Sequence, residues 1–199
     1  SQYDTLYYDT PGLDMFIAHQ CGRLVRKKVR TRIYVDTGLT FLEIKKKDNH
    51  GTTSKKRIQI PPGAFGDFKS LPEACRFLEK HSGLRAEDIS PALETVFRRI
   101  TLVNAARTER LTIDTHLCFI NRRNAESASL KDAVIIELKQ DRRATSDMKR
   151  ILLMHRVQPA GLSKYCIGIA LTDAHVRTNN IKPKVRRIEK IINANISIR

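Results

Sequence analysis

The sequence predicts an antiparallel α+β domain in which strands outnumber helices. Segments that alternate polar and apolar side chains with period two recur along the chain, and neighbours follow one another as hairpins. Patterns of helical period lie between and after them. The 199 residues are 41% hydrophobic, enough for one well-packed core, and glycine and proline are dispersed as turn punctuation instead of marking a linker. A single domain over residues 1–199 is therefore expected, with 180–199 as a basic helical tail.

Strands are expected at Thr5–Asp9, Arg26–Val35, Thr40–Lys47, Lys55–Ile60, Thr95–Val103, Arg110–Thr115 and Val134–Lys139. The first reads as an interior strand entering a Thr10-Pro11-Gly12 turn with little before it, as if an N-terminal piece were absent. Asn49-His50-Gly51 reads as a hairpin tip. Ser70-x-x-Glu73 forms a capping box ahead of a helix over Ala74–His81. Ser146–Val157 places Met148, Ile151, Leu152 and His155 on one helical face. Ser163 opens a small apolar helix over Ser163–Leu171, and Val185–Ile192 is amphipathic and basic.

Charge narrows the function. Lys and Arg number 37 against 21 Asp and Glu, a formal net charge of +16, so the partner is an anion. No apolar run is long enough to span a bilayer, and Ser1–Thr10 lacks the apolar stretch of a signal peptide. Cys21, Cys75, Cys118 and Cys166 are too widely spaced for zinc or a disulfide scaffold, which points to a reducing, cytoplasmic setting. Cys118 and Cys166 read as small buried hydrophobes. Nucleic acid is not the expected partner, because aromatics are 6% of the chain and tryptophan is absent. Tyr34 and Tyr165 are read as closing the apolar layer, with stacking on a nucleotide base as the alternative for either. Arg122-Arg123, Arg142-Arg143 and the run Lys182–Lys190 are read as solvated surface.

The strand alternation collects cations on one face. Arg26, Lys28, Arg30 and Arg32 oppose Val29, Thr31 and Ile33; Glu43, Lys45 and Lys47 oppose Leu42 and Ile44; Glu137 and Lys139 oppose Ile136 and Leu138. Lys55 and Arg57 share a face, as do Arg110, Thr112 and Asp114, and Arg99 lies with Phe97 and Thr101. Such faces repel one another unless an anion joins them. Phosphate chains suit them: arginine offers paired donors to phosphate oxygens, and a few carboxylates could hold a divalent metal that bridges phosphates. Asp114 has two readings, a barrel-facing carboxylate or, more naturally at a strand end before Thr115, a turn or capping residue.

Taken in order, Tyr7-Tyr8-Asp9-Thr10, Lys28-Val29-Arg30-Thr31-Arg32-Ile33-Tyr34, Phe41-Leu42-Glu43-Ile44-Lys45, Glu109-Arg110-Leu111-Thr112-Ile113-Asp114-Thr115, Ile135-Ile136-Glu137-Leu138-Lys139 and Ser163-Lys164-Tyr165 resemble one family. It is the polyphosphate polymerase (VTC-type) domain of the triphosphate tunnel metalloenzyme (CYTH-like) superfamily, matched from about Tyr7 to Thr172. The resemblance implies an antiparallel β-barrel with helices packed outside, whose lumen binds ATP, triphosphate or polyphosphate with Mn²⁺ or Mg²⁺. It implies catalytic roles for Arg30, Arg32, Arg110 and Lys164, and substrate binding by Lys28, Lys45, Arg57, Arg99 and Lys139. Glu137 matches the metal-binding glutamate, with Glu43 as a second metal candidate. The family's first strand, which carries a tunnel lysine, has no counterpart here, so a barrel lacking that strand is expected. The implied activity is ATP-dependent polyphosphate polymerisation. Hydrolysis of triphosphates and polyphosphate binding without catalysis remain open beside it.

Overall fold

A computed structural model of the chain describes residues 1–140 and 145–192. Arg142-Arg143 and the end of the expected tail, 193–199, lie outside the described residues. The elements are β1 (Gln2–Asp9), α1 (Asp14–Gln20), β2 (Arg26–Tyr34), β3 (Leu39–Lys47), β4 (Thr53–Ile60), α2 (Pro72–Ser82), β5 (Ser90–Val103), β6 (Glu109–Asn121), β7 (Ser127–Leu130), β8 (Ile135–Gln140), α3 (Asp147–Met154), α4 (Lys164–Thr172) and α5 (Lys182–Ile192). The fold class is α+β, as expected.

All strand pairs are antiparallel and form one sheet in the order β4-β3-β2-β1-β5-β6-β7, with β8 paired to the other half of β6. The expected closure into a barrel is not seen. Among the described residues no strand bridges β4 to β7 or β8, and closure requires such a pairing. The sheet instead curls into a deep groove. Lys45 on β3 feels the charges of Glu137 and Lys139 on β8, although four other strands, β2, β1, β5 and β6, lie between them in the sheet.

Strands β5 and β6 are longer than the sequence pattern indicated. Their register shifts between Val96 and Arg98, and His116 takes a positive φ of 55°. A bulge of this kind reverses the alternation, so a period-two reading stops where the strand continues. Short β7 and helix α1 were not expected either. Asp9 organises α1, its carboxylate accepting from the backbone N–H groups of Met15 (2.9 Å) and Phe16 (2.8 Å). The Ser70/Glu73 capping box does not form. Helix α2 begins at Pro72 after Leu71 without a side-chain cap, because proline at the first turn already has helical φ. Ser146 and Ser163 do cap α3 and α4, accepting from Lys149 N (3.0 Å) and Cys166 N (3.3 Å). At the β3–β4 tip Asp48 Oδ1 accepts from His50 N and Thr52 N, fixing the expected hairpin.

Each face of the sheet has its own core. On the outer face Leu6, Tyr8, Val29, Leu42 and Ile44 pack under Phe68, Ala74 and Leu78, so α2 covers the outside as expected. On the inner face Tyr7, Leu93, Phe97 and Phe119 pack against Tyr165 and Ile169 of α4 and Val185 and Ile188 of α5. These two helices therefore occupy one end of the groove, on the cationic side, contrary to the expectation that helices stay outside. Gly168 permits this approach: a Cβ there would stand 2.4 Å from Leu93 Cδ2 and 2.6 Å from Phe119 Cδ1. Cys166 is buried as expected, whereas Cys118 is partly exposed beside Ser129, on a stretch of β6 past the bulge.

Candidate active site: a cationic groove

One wall is built by β2, β3 and β4. Arg30 and Glu43 are direct cross-strand partners, and Arg30 Nε and Nη2 reach Glu43 Oε2 at 2.8 and 2.7 Å. Lys55 on β4 takes the other oxygen, Oε1. Glu43 is 0% exposed, with both carboxylate oxygens held by cations. Arg32 is treated differently. It is 7% exposed and donates from Nε to its cross-strand neighbour Thr5 Oγ1 (3.0 Å), and no carboxylate lies within ion-pair distance among the described residues. Lys28 donates to Ser163 Oγ (3.1 Å), tying β2 to the start of α4.

The facing wall is built by β5, β6, β8 and α4. Arg99 and Asp114 are cross-strand partners joined by two bonds of 2.5 and 2.7 Å, and Lys164 Nζ binds the same carboxylate. Lys164 reaches it because Ser163 caps α4 and Tyr165 OH donates to Asp9 Oδ2 (2.6 Å), fixing the helix start against β1 and α1. Glu137 stands beside Thr112 in register and, among the described residues, pairs with Lys139 Nζ at 3.2 Å. Arg110 lies two registers further along β6 beside Lys139, exposed and away from the clasped arginines. Arg57 is exposed on β4, its guanidinium 4.6 Å from the centre of the Phe41 ring.

The protonation equilibria record how crowded the positive charge is. Burial would raise the Glu43 carboxyl, but Arg30, Arg32 and Lys55 overcome it and hold the group at about 2. Burial, then Arg30 and Arg99, pull the Arg32 guanidinium down to about 10, with Glu43 opposing. Lys45 is lowered to about 8 by burial, with Arg30 and Lys139 adding to it. Burial would also raise the Tyr7 phenol, yet Arg30, Lys28, Arg32 and Lys164 bring it down to about 8. A neutral lysine and an ionising tyrosine near pH 8 are the signs of a site short of negative charge.

The profile of the VTC domain matches residues 1–173. The chain belongs to the VTC-domain family. The match takes in every strand and α1 to α4, while α5 lies beyond it. No curated protein matches this VTC domain. Among solved structures it is similar to a candidate adenylate cyclase from Bacillus halodurans, at 12% identity and a TM-score of 0.49, covering 81% of this chain and 78% of the other. It is also similar to a candidate adenylyl cyclase from Hippeastrum with a dominant triphosphatase activity, at 15% identity and a TM-score of 0.47, covering 83% and 80%.

The donor chemistry of the VTC domain separates its three groove carboxylates. Glu43 and Asp114 have both oxygens occupied by cations, so neither is available to a metal in this arrangement. Among the described residues Glu137 keeps free coordination capacity, and the buried Thr112 Oγ1 beside it has no hydrogen-bond partner. No cluster of three or more His, Cys, Asp or Glu residues forms a metal cage among the described residues. This set fits a hard cation that takes most of its oxygens from a bound phosphate chain and water, as magnesium characteristically does. For Asp114 the less favoured of its two sequence readings holds: it is no turn cap but the buried, groove-facing hub of a wall. Its alternation with Arg110 and Thr112 was the available signal.

Proposed function

We propose that this VTC domain is a metal-dependent phosphotransferase that lengthens polyphosphate at the expense of ATP. The observation that carries the reading is Arg32, a buried guanidinium with no carboxylate within ion-pair distance among the described residues and subject to the charges of Arg30 and Arg99. Such a group is unfavourable in the empty groove and is relieved by a polyanion. Family membership supports the choice of polyphosphate over other anions.

Arg30, Arg32, Arg99 and Lys164 would hold the triphosphate from both walls, their positions fixed in advance by Glu43, Thr5 and Asp114. Lys28, Lys45, Lys55 and Lys139 extend the same field along the groove, with Arg57 and Arg110 toward its rims. Glu137 would hold Mn²⁺ or Mg²⁺, and the ion would supply positive charge that offsets that of the phosphate chain. An oxygen at the end of a phosphate chain forms a new bond to the γ-phosphorus as the bond to the β–γ bridging oxygen breaks, leaving ADP. The arginines and Lys164 neutralise the charge that spreads over the transferring group. We place this chemistry in the cytoplasm and treat residues 1–199 as one unit. No helix among the described residues is long and apolar enough to cross a membrane.

The test is incubation with ATP and Mn²⁺ or Mg²⁺, reading chain length by phosphorus NMR. Polyphosphate formation, lost in Glu137→Ala with the fold intact, is the expected result. Release of orthophosphate alone would make the domain a triphosphatase, and binding without turnover would make it a polyphosphate carrier.

A further inference from the structure

Toward the β2–β3 turn the groove changes character. Phe97, Tyr3, Tyr34 and Phe41, on β5, β1, β2 and β3, form a continuous ladder of rings on the cationic face. Phe97 stacks on Tyr3 at 5.5 Å between centroids, Tyr3 meets Tyr34 at 4.9 Å, and Tyr34 meets Phe41 edge to face at 5.9 Å. Phe97 is buried, but Tyr3, Tyr34 and Phe41 are only partly so. Arg32 and Arg99 lie against Tyr3, at 5.7 and 5.2 Å, and Arg57 lies over Phe41. Gln59, the register partner of Phe41 on β4, is exposed and shares a face with Arg57; its amide has no hydrogen-bond partner among the described residues.

An inorganic phosphate chain gains nothing from the faces of rings, and of an amide it can use only the donor side. The ladder is not sealed as Tyr165 and Phe119 are, and an exposed arginine, Arg57, lies at its end. Partly exposed rings next to phosphate-binding cations are what a nucleobase requires, since every base has a face that stacks. An amide adds one donor side and one acceptor side, which suits a base edge.

We propose that this end of the groove is the site that receives the base of the ATP named above. Tyr34 supplies the stacking face, Phe41 with Arg57 the neighbouring wall, and Gln59 the contact to the base edge. Arg32, touching both the ladder and the phosphate groove, marks where the nucleoside passes into its phosphates. The assignment rests on the phosphotransferase reading in one respect: the triphosphate must lie in the groove.

The experiment is calorimetric titration of ATP and of tripolyphosphate, each with Mg²⁺, into the full chain and into Tyr34→Ala, Phe41→Leu and Gln59→Ala, with thermal unfolding as a fold control. Tyr34→Ala should weaken ATP about tenfold or more while leaving tripolyphosphate unchanged. Gln59→Ala, at an exposed position that leaves packing untouched, should narrow the difference between ATP and GTP. Equal losses for both ligands would make the ladder structural, and unchanged ATP binding in all three variants would place the base elsewhere; either overturns the proposal. Tripolyphosphate binding that Arg32→Ala weakens would in those cases leave the phosphotransferase reading standing. Failure of the wild-type chain to bind either ligand would remove both.

Discussion

On the β2–β4 wall a buried carboxylate, Glu43, holds Arg30 and Lys55; on the facing wall Asp114 holds Arg99 and Lys164. The device is the same, an acid clasping one arginine from the adjacent strand and one lysine from a third element. The parts differ. Lys55 comes from the edge strand β4 and is 36% exposed, whereas Lys164 comes from a capped helix and is 14% exposed. The second wall is also the one that carries Glu137, whose oxygens are not used up. One wall is thus a fixed cationic plate, and the other combines a helix-borne lysine with the carboxylate suited to a metal. Positive charge is preorganised on both sides, but the groove carboxylate with an oxygen outside any ion pair among the described residues is on one.

The largest effect expected from this comparison is on stability. Asp114→Ala should cost about 3–5 kcal/mol in urea unfolding, because it strands two cations shielded from water. Glu43→Ala should cost less, since Lys55 can turn to solvent; the reverse order would make the strand wall the more rigid. Acid titration separates the walls too. The Glu43 pKa, depressed to about 2, gives stability that is present above its unfolded value of 4.5 and lost as pH falls toward 2. Glu43→Gln should flatten that window.

Next comes Arg32→Met, which should weaken triphosphate binding by about 1.5–3 kcal/mol, the range for a hydrogen bond to a charged group. Stability should hold or rise, because an unpaired buried charge is replaced by an apolar chain. A loss of stability with unchanged binding would make Arg32 a structural residue of the first wall. Gly168→Ala acts on the second wall alone: its Cβ would meet Leu93 and Phe119, pushing α4 and Lys164 outward at a cost of about 1–3 kcal/mol. The acid window of Glu43 should survive that change.

The smallest effect is protonic. Lys45 is held at about 8, below its unfolded value of 10.5, so stability should rise with pH across that interval. A bound polyanion restores its charge, and likewise reprotonates Tyr7, so binding near pH 8 should take up protons. The binding enthalpy should therefore depend on the buffer's heat of ionisation, and Lys45→Met combined with Tyr7→Phe should abolish that dependence.

Much of this was legible in the chain. Alternation alone placed Arg30, Arg32, Glu43 and Lys45 on one face, because side-chain direction in a regular strand is fixed by parity. It also located β2, β3, β4 and β8 within a residue or two, and Ser163 announced the start of α4. Parity fails at a bulge, so alternation hides the start of β5 and the end of β6 and makes Asp114 look like the end of a strand. Nor does local pattern say how far a sheet curls or closes. The sequence by itself determined which residues are cationic, which face of each strand they share and where the helices begin. Only the tertiary structure decided that Glu43 and Asp114 are consumed by their own cations, that Glu137 is left available and that α4 fills one end of the groove. Those outcomes depend on distances between residues far apart in the chain, such as the 50 positions separating Asp114 from Lys164, and on packing at Gly168.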